Sequence, residues 1–185
     1  MSWNLPNTLT WTRIAAIPLI VLLFYMPYPW ADPAAGLLFA AAGITDSLDG
    51  YLARRLGQIS RLGAFLDPVA DKLIVAVALV LLVSKDTRAL IVLTAAVIIG
   101  REITISALRE WMAEIGARRK VAVSQLGKYK TILQIVGLSL MLYRVPLFGI
   151  ATYNPGVVLT EVAAAATLLS MLAYLRAAWP ELKRQ

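Results

Sequence analysis

The sequence predicts an all-α, polytopic membrane protein with six transmembrane helices and a short N-terminal interfacial helix. Three observations carry this reading. Hydrophobic residues make up 59% of the 185 and the mean hydropathy is +0.72, far above the balance of a soluble domain of this length. The apolar residues fall in long runs separated by short links rich in Pro, Gly and charge. The basic residues gather on alternate links, as the positive-inside rule requires of a chain threading a membrane. At about 20 residues per span, six helices need about 120 residues and leave only short loops, so one domain over residues 1–185 is expected.

Residues 1–12, MSWNLPNTLTWT, lack the basic region and cleavage site of a signal peptide and are expected to remain in the mature chain. Trp3, Leu5, Leu9 and Trp11 fit an amphipathic segment lying at the interface. The first span runs from about Arg13 to Tyr28 and ends at Pro27, Pro29 and the belt residue Trp30. A second starts near Asp32 and Pro33 and reaches Arg54 and Arg55, carrying Asp46 and Asp49 in its far half. After a link with Gly57, Ser60, Arg61 and Gly63, a third helix begins around Ala64 and ends at a tight turn at Lys85 and Asp86. The fourth starts near Thr87 and continues through REITISALREWMAEIG past the membrane surface. The segment ARRK leads to a fifth span, LGKYKTILQIVGLSLMLY, ending near Arg144, Val145 and Pro146, and a sixth occupies roughly Pro155 to Trp179.

Topology follows from charge. One side holds Arg54, Arg55, Arg61, Arg101, Arg109, Arg118, Arg119, Lys120, Lys128, Lys130, Arg176, Lys183 and Arg184, the other only Lys85, Arg88 and Arg144. Both termini and the acidic residues of the second and third helices are therefore expected on the cytosolic side of a bacterial cytoplasmic membrane. The net charge of +7 suits anionic lipid headgroups; with no soluble basic domain, nucleic acid is not expected as a partner. The chain has no cysteine and no histidine. Disulfides, thiolate nucleophiles and Cys-ligated zinc are thereby excluded, and a general base must be Asp, Glu, Lys or Tyr. A bound metal would take oxygen ligands, favouring Mg²⁺, Mn²⁺ or Ca²⁺ over Zn²⁺.

The stretch Thr45 to Lys72 places four aspartates in this apolar background. Asp46 and Asp49 share one helix face with Gly50 and Ala53, and Asp67 and Asp71 share another with Gly63 a turn before. Carboxylates at a membrane rim are costly and by default mark a site. Four of them converging from neighbouring helices repel unless protonated or bound to cations; two divalent ions would neutralise them and could clamp a diphosphate. Gly50 and Ala53 would let a ligand lie against the backbone, although small residues also serve simple helix packing. Solvated helix ends, or ion pairs such as Asp46 with Arg54 and Asp71 with Lys72, would be the purely structural account.

Written as D-x2-D-G-x2-A-R-x8-G-x3-D-x3-D, with Asp46, Asp49, Gly50, Ala53, Arg54, Gly63, Asp67 and Asp71 at its fixed positions, the stretch resembles the signature of the CDP-alcohol phosphotransferase family. The resemblance implies a divalent-metal enzyme that takes a CDP-activated alcohol, releases CMP and transfers the phospho-alcohol moiety to a second alcohol. It implies Asp46, Asp49, Asp67 and Asp71 as ligands of two ions, Mg²⁺ or Mn²⁺. Asp71 would also be the base that activates the acceptor hydroxyl. Gly50, Ala53, Arg54 and Gly63 would lie at the CDP group, with Thr10 and Arg13 nearby. A homodimer is implied as well.

REITISALREWMAEIG, VAVSQLGKYKT and NLPNTLTWTRI extend the resemblance to the branch of the family that uses CDP-diacylglycerol as donor and sn-glycerol 3-phosphate as acceptor. An acceptor carrying its own phosphate needs cations near the metal centre, and Arg101, Arg109, Lys128 and Lys130 lie on that membrane side. Positive-inside charge would account for them equally, least so for Arg101, which follows directly on an apolar run. Arg118, Arg119 and Lys120 read as a lipid-facing flank, and Glu161 as pairing or reaching an interface without a role. Two other functions stay open at this stage: a sibling enzyme with another acceptor, such as a cardiolipin synthase of the family, and a cation- or proton-coupled transporter. The one-rim cluster and the absence of a matching second half speak against the transporter.

Overall fold

The computed structural model describes residues 5–56, 61–117 and 125–183, which form α-helices joined by turns. Side chains at 5–7, 9, 46–56, 61, 62, 64, 125–128, 181 and 182 lie outside that description. The helices are α1 (Leu5–Tyr25), α2 (Ala31–Leu56), α3 (Arg61–Lys85), α4 (Ala89–Glu114), α5 (Gln125–Tyr143) and α6 (Tyr153–Leu182). The turns fall where Pro27 and Pro29, Asp86, and Pro146 interrupt the apolar runs. Gly116, at φ +74°, ends α4, and the Ala117 N–H reaches back to the Met112 carbonyl at 2.8 Å, satisfying an otherwise orphaned acceptor.

Residues 5–12, read from the sequence as an interfacial segment, form one continuous helix with the first span, α1. The physical reason lies in one stripe. Thr10, Arg13, Ala16, Ile20, Leu23 and Phe24 are all buried at three- and four-residue spacing, so the helix must extend to its start to turn Thr10 and Arg13 inward. Pro6 sits in the first turn, where a missing N–H costs nothing.

Contacts at the two ends show that successive helices run in opposite directions. At one end the start of α1 meets the start of α3 through Arg13 and Asp71, and α4 meets α5 through Glu102 and Lys130. At the other, Lys85 Nζ reaches the Phe24 carbonyl at 2.9 Å, and the Tyr153 hydroxyl donates to Asp86 Oδ2 at 2.6 Å. Asp86 also accepts from Arg88. That guanidinium first and the Tyr153 hydroxyl second hold its carboxyl well below the ordinary carboxylate range.

Between the two ends lies an apolar core built on Ile20, Phe24, Phe39, Leu82, Ile98, Leu138 and Leu142. Helices α5 and α6 approach most closely where glycine faces glycine. A Cβ at Gly137 would stand 2.5 Å from Thr160 Oγ1 and 2.9 Å from the Gly156 carbonyl, the small-residue contact that membrane helices use. The outward faces are as apolar as the core: Leu22, Leu37, Val80, Leu93, Ile103 and Leu169 are all exposed. A helix apolar all round belongs in a membrane. Among the described residues two helices, Ala89–Glu114 and Tyr153–Pro180, are long and apolar enough to cross one, and Thr10–Tyr25, Ala31–Thr45 and Tyr129–Tyr143 are shorter apolar stretches.

Candidate functional site

The end of the bundle that gathers the start of α1 and α3 with the later part of α4 brings polar side chains of several helices together. On α3, Asp67 and Asp71 are one turn apart and therefore on one face. Each is met by a buried residue of α1. The Thr10 hydroxyl donates to Asp67 Oδ1, and Arg13 pairs through its guanidinium with Asp71 Oδ1. Thr10 and Arg13 are 1% and 2% exposed, whereas the Asp71 side chain is 39% exposed. The burial cost thus falls on the α1 partners while the carboxylate stays open to what lies beyond.

What lies beyond is a cavity of about 440 Å³ bounded by α1 to α5. Arg13 lines it from α1, Asp67, Asp71 and Lys72 from α3, and Arg101, Glu102 and Arg109 from α4. Phe39, Ile74, Val75, Ile105 and Ile135 supply an apolar remainder. A lining that is part apolar and part charged fits an amphiphile with an anionic head. Gly43 of α2 also lines the cavity; a Cβ there would lie 2.7 Å from Ile135 Cγ2, so α2 and α5 close upon each other at this depth.

Cations on the α4 side are organised rather than scattered. Arg101 NH1 donates to Glu102 Oε1 at 2.8 Å and NH2 to Ser170 Oγ at 3.0 Å, with its guanidinium 5.8 Å from the Tyr174 ring centroid. Lys130 Nζ donates to the same Glu102 Oε1 at 3.2 Å. Arg109, two turns along α4, is exposed at the cavity's mouth.

Of the residues singled out from the sequence, Asp67, Asp71, Arg13, Arg101 and Arg109 come together around one cavity. Thr10 and Lys130 join through the hydrogen bonds just described. Gly63 is buried in α3. The side chains of Asp46, Asp49, Gly50, Ala53, Arg54 and Lys128 lie outside the described residues; in the register of α2, positions 46 and 50 follow Gly43 by three and seven residues. Asp71 pairs with Arg13, not with Lys72 as a purely structural ion pair would have it. Glu161, expected to pair or to reach an interface, is half-buried, and its Oε1 has no hydrogen-bond partner among the described residues. Sequence reading missed Glu102, Ser170 and Gln134, whose only signal was polarity at apolar spacing: Ser170 and Gln134 are buried.

Oxygen donors on α3 facing a cavity suit a hard divalent cation. Among the described residues no group of three or more metal-ligating side chains occurs, so Asp67 and Asp71 are the described part of any such centre.

Residues 3–177 match the model of the CDP-alcohol phosphatidyltransferase family. A protein of Pseudomonas fluorescens named CDP-diacylglycerol--glycerol-3-phosphate 3-phosphatidyltransferase is 52% identical over 181 residues, covering 97% of this chain and 92% of that protein. A protein of the same name from Escherichia coli K12 is 50% identical over 185 residues and 100% of both chains.

Proposed function

The chain belongs to the CDP-alcohol phosphatidyltransferase family, and from that premise we propose that it moves the phosphatidyl group of CDP-diacylglycerol onto sn-glycerol 3-phosphate, yielding phosphatidylglycerol phosphate and CMP. The observation that carries this reading is one cavity lined both by the carboxylates of Asp67 and Asp71 on α3 and by the cations Arg101 and Arg109 on α4. A donor diphosphate and an acceptor phosphate need separate places, one at a metal-holding acidic face and one at a cationic face. The relatives' shared name, at about half identity over full length, supports the same donor and acceptor.

In this mechanism a primary hydroxyl oxygen of glycerol 3-phosphate attacks the phosphorus that bears the diacylglycerol. The bond from that phosphorus to the oxygen of the CMP moiety breaks, and CMP leaves. Asp71 takes the hydroxyl proton, and Arg13 keeps its carboxylate in place. Thr10 does the same for Asp67. Arg101, Arg109, Lys128 and Lys130 bind the acceptor's phosphate and so aim its hydroxyl. Gly50, Ala53, Arg54 and Gly63 receive the CDP group. Asp46, Asp49, Asp67 and Asp71 would hold two divalent ions, Mg²⁺ or Mn²⁺, which when bound supply charge neutralisation for the diphosphate. The acyl chains enter laterally between helices, where the cavity wall is apolar.

The six helices all span a bacterial cytoplasmic membrane, with both termini and the site on the cytosolic side where CDP-activated donors and phosphorylated acceptors meet, and the enzyme works as a homodimer. Purified protein in detergent, given CDP-diacylglycerol, Mg²⁺ and a panel of alcohols, should release CMP with glycerol 3-phosphate. Absence of CMP with every acceptor overturns the enzyme assignment; release only with another alcohol overturns the acceptor.

A further inference from the structure

Two buried cations and one carboxylate meet at the α4 side of the cavity. Arg101 and Lys130 are 7% and 5% exposed, come from different helices, and donate to one and the same oxygen, Glu102 Oε1, at 2.8 and 3.2 Å. Cations buried side by side repel, and each is costly to desolvate without an opposite charge against it. Glu102 is that charge, and it lines the cavity.

We propose that Glu102 is a positioning residue that holds Arg101 and Lys130 together as a pre-set pair for the phosphate of the acceptor. The inference rests on the reaction proposed above. By using a single oxygen for both, Glu102 ties α4 to α5 while consuming one donor of each cation. Arg101 is fixed on its other side by Ser170 Oγ at 3.0 Å, yet its Nε has no hydrogen-bond partner among the described residues. A lysine has three donors and an arginine five, so both cations keep capacity for a phosphate. Fixing them beforehand removes the cost of ordering two long side chains when the acceptor arrives. Glu102 itself touches none of the reacting atoms.

The test uses the full chain in detergent, with Glu102→Gln and Glu102→Asp. Four quantities are measured: KM for glycerol 3-phosphate, KM for CDP-diacylglycerol, kcat, and the unfolding temperature with and without glycerol 3-phosphate. Glu102→Gln should raise the acceptor KM by about 10- to 100-fold, the scale of a lost charged hydrogen bond, with the donor KM unchanged. Glu102→Asp, which keeps the charge, should recover part of the loss. An unchanged acceptor KM overturns the inference, as does an equal rise for both substrates with a lowered unfolding temperature, which marks a merely structural residue. A wild-type chain that is stabilised by glycerol 3-phosphate but transfers nothing to it overturns the reaction instead. In that case the loss of this stabilisation in Glu102→Gln still supports the pairing, and its persistence refutes it.

Discussion

Asp71 has two neighbours with opposite demands: the Arg13 guanidinium behind it and the cavity before it. If it accepts the hydroxyl proton, Asp71→Asn keeps the shape and loses the base. Turnover should fall by about 10²- to 10⁴-fold while CDP-diacylglycerol binding, followed by equilibrium binding of the labelled donor, is largely kept. Equal loss of both would argue against the base role. Arg13 is a support of a different kind. Because it is 2% exposed and its partner is partly solvated, Arg13→Gln should cost roughly 1–3 kcal/mol, read as a lowered unfolding temperature. At the opposite end Asp86 offers a pH test. Its carboxyl is held below its ordinary value by Arg88 and Tyr153. It therefore contributes stability that is present above the unfolded-state value of about 4 and disappears as the pH falls below it. The gap in unfolding temperature between wild type and Asp86→Asn should be open at neutral pH and close on acidification.

Among the helices, the α5–α6 contact leaves least room for change. Gly137→Ala would push a methyl group to 2.5 Å from Thr160 Oγ1 and 2.9 Å from a backbone carbonyl, and a backbone cannot yield as a side-chain tip can. Destabilisation of about 1–3 kcal/mol is expected. Gly100 in α4 is the matched control, since a Cβ there meets nothing within 4 Å; Gly100→Ala should leave the unfolding temperature unchanged or raise it slightly, by the helix propensity gained. The same closeness matters for the site, because α5 carries Gln134 to the cavity and Lys130 to Glu102 while α6 carries Ser170 to Arg101. Loosening the pair should weaken the acceptor side before the donor side.

At the scale of the molecule, apolar surfaces both inside and outside leave a bilayer as the medium in which the bundle is stable. With no cysteine in the chain, topology can be read from single introduced thiols. In intact cells a membrane-impermeant maleimide should label Phe148→Cys, a position that is 95% exposed in the turn after α5, and should leave Lys183→Cys unlabelled until the membrane is opened. The reverse pattern would place the site on the wrong side for a nucleotide-activated donor.

The helices and the acidic signature were legible in the linear chain because both are local. Apolar run length, proline and charge set the ends of α2 to α6 within a few residues, and the eight typed positions of the signature carry the family resemblance. Positive-inside charge likewise groups Arg101 and Lys130 with the aspartates, and in the fold they lie at the same end of the bundle as Asp67 and Asp71. Spacing could not say that Arg13 belongs to Asp71 and Thr10 to Asp67, nor that Arg101 and Lys130 share Glu102. Those pairs join residues 57, 58 and 28 positions apart, and only helix packing decides which side chains meet. The continuity of α1 was hidden for the same reason. Its first turns look like an interfacial segment until the partners that bury Thr10 and Arg13 are in place.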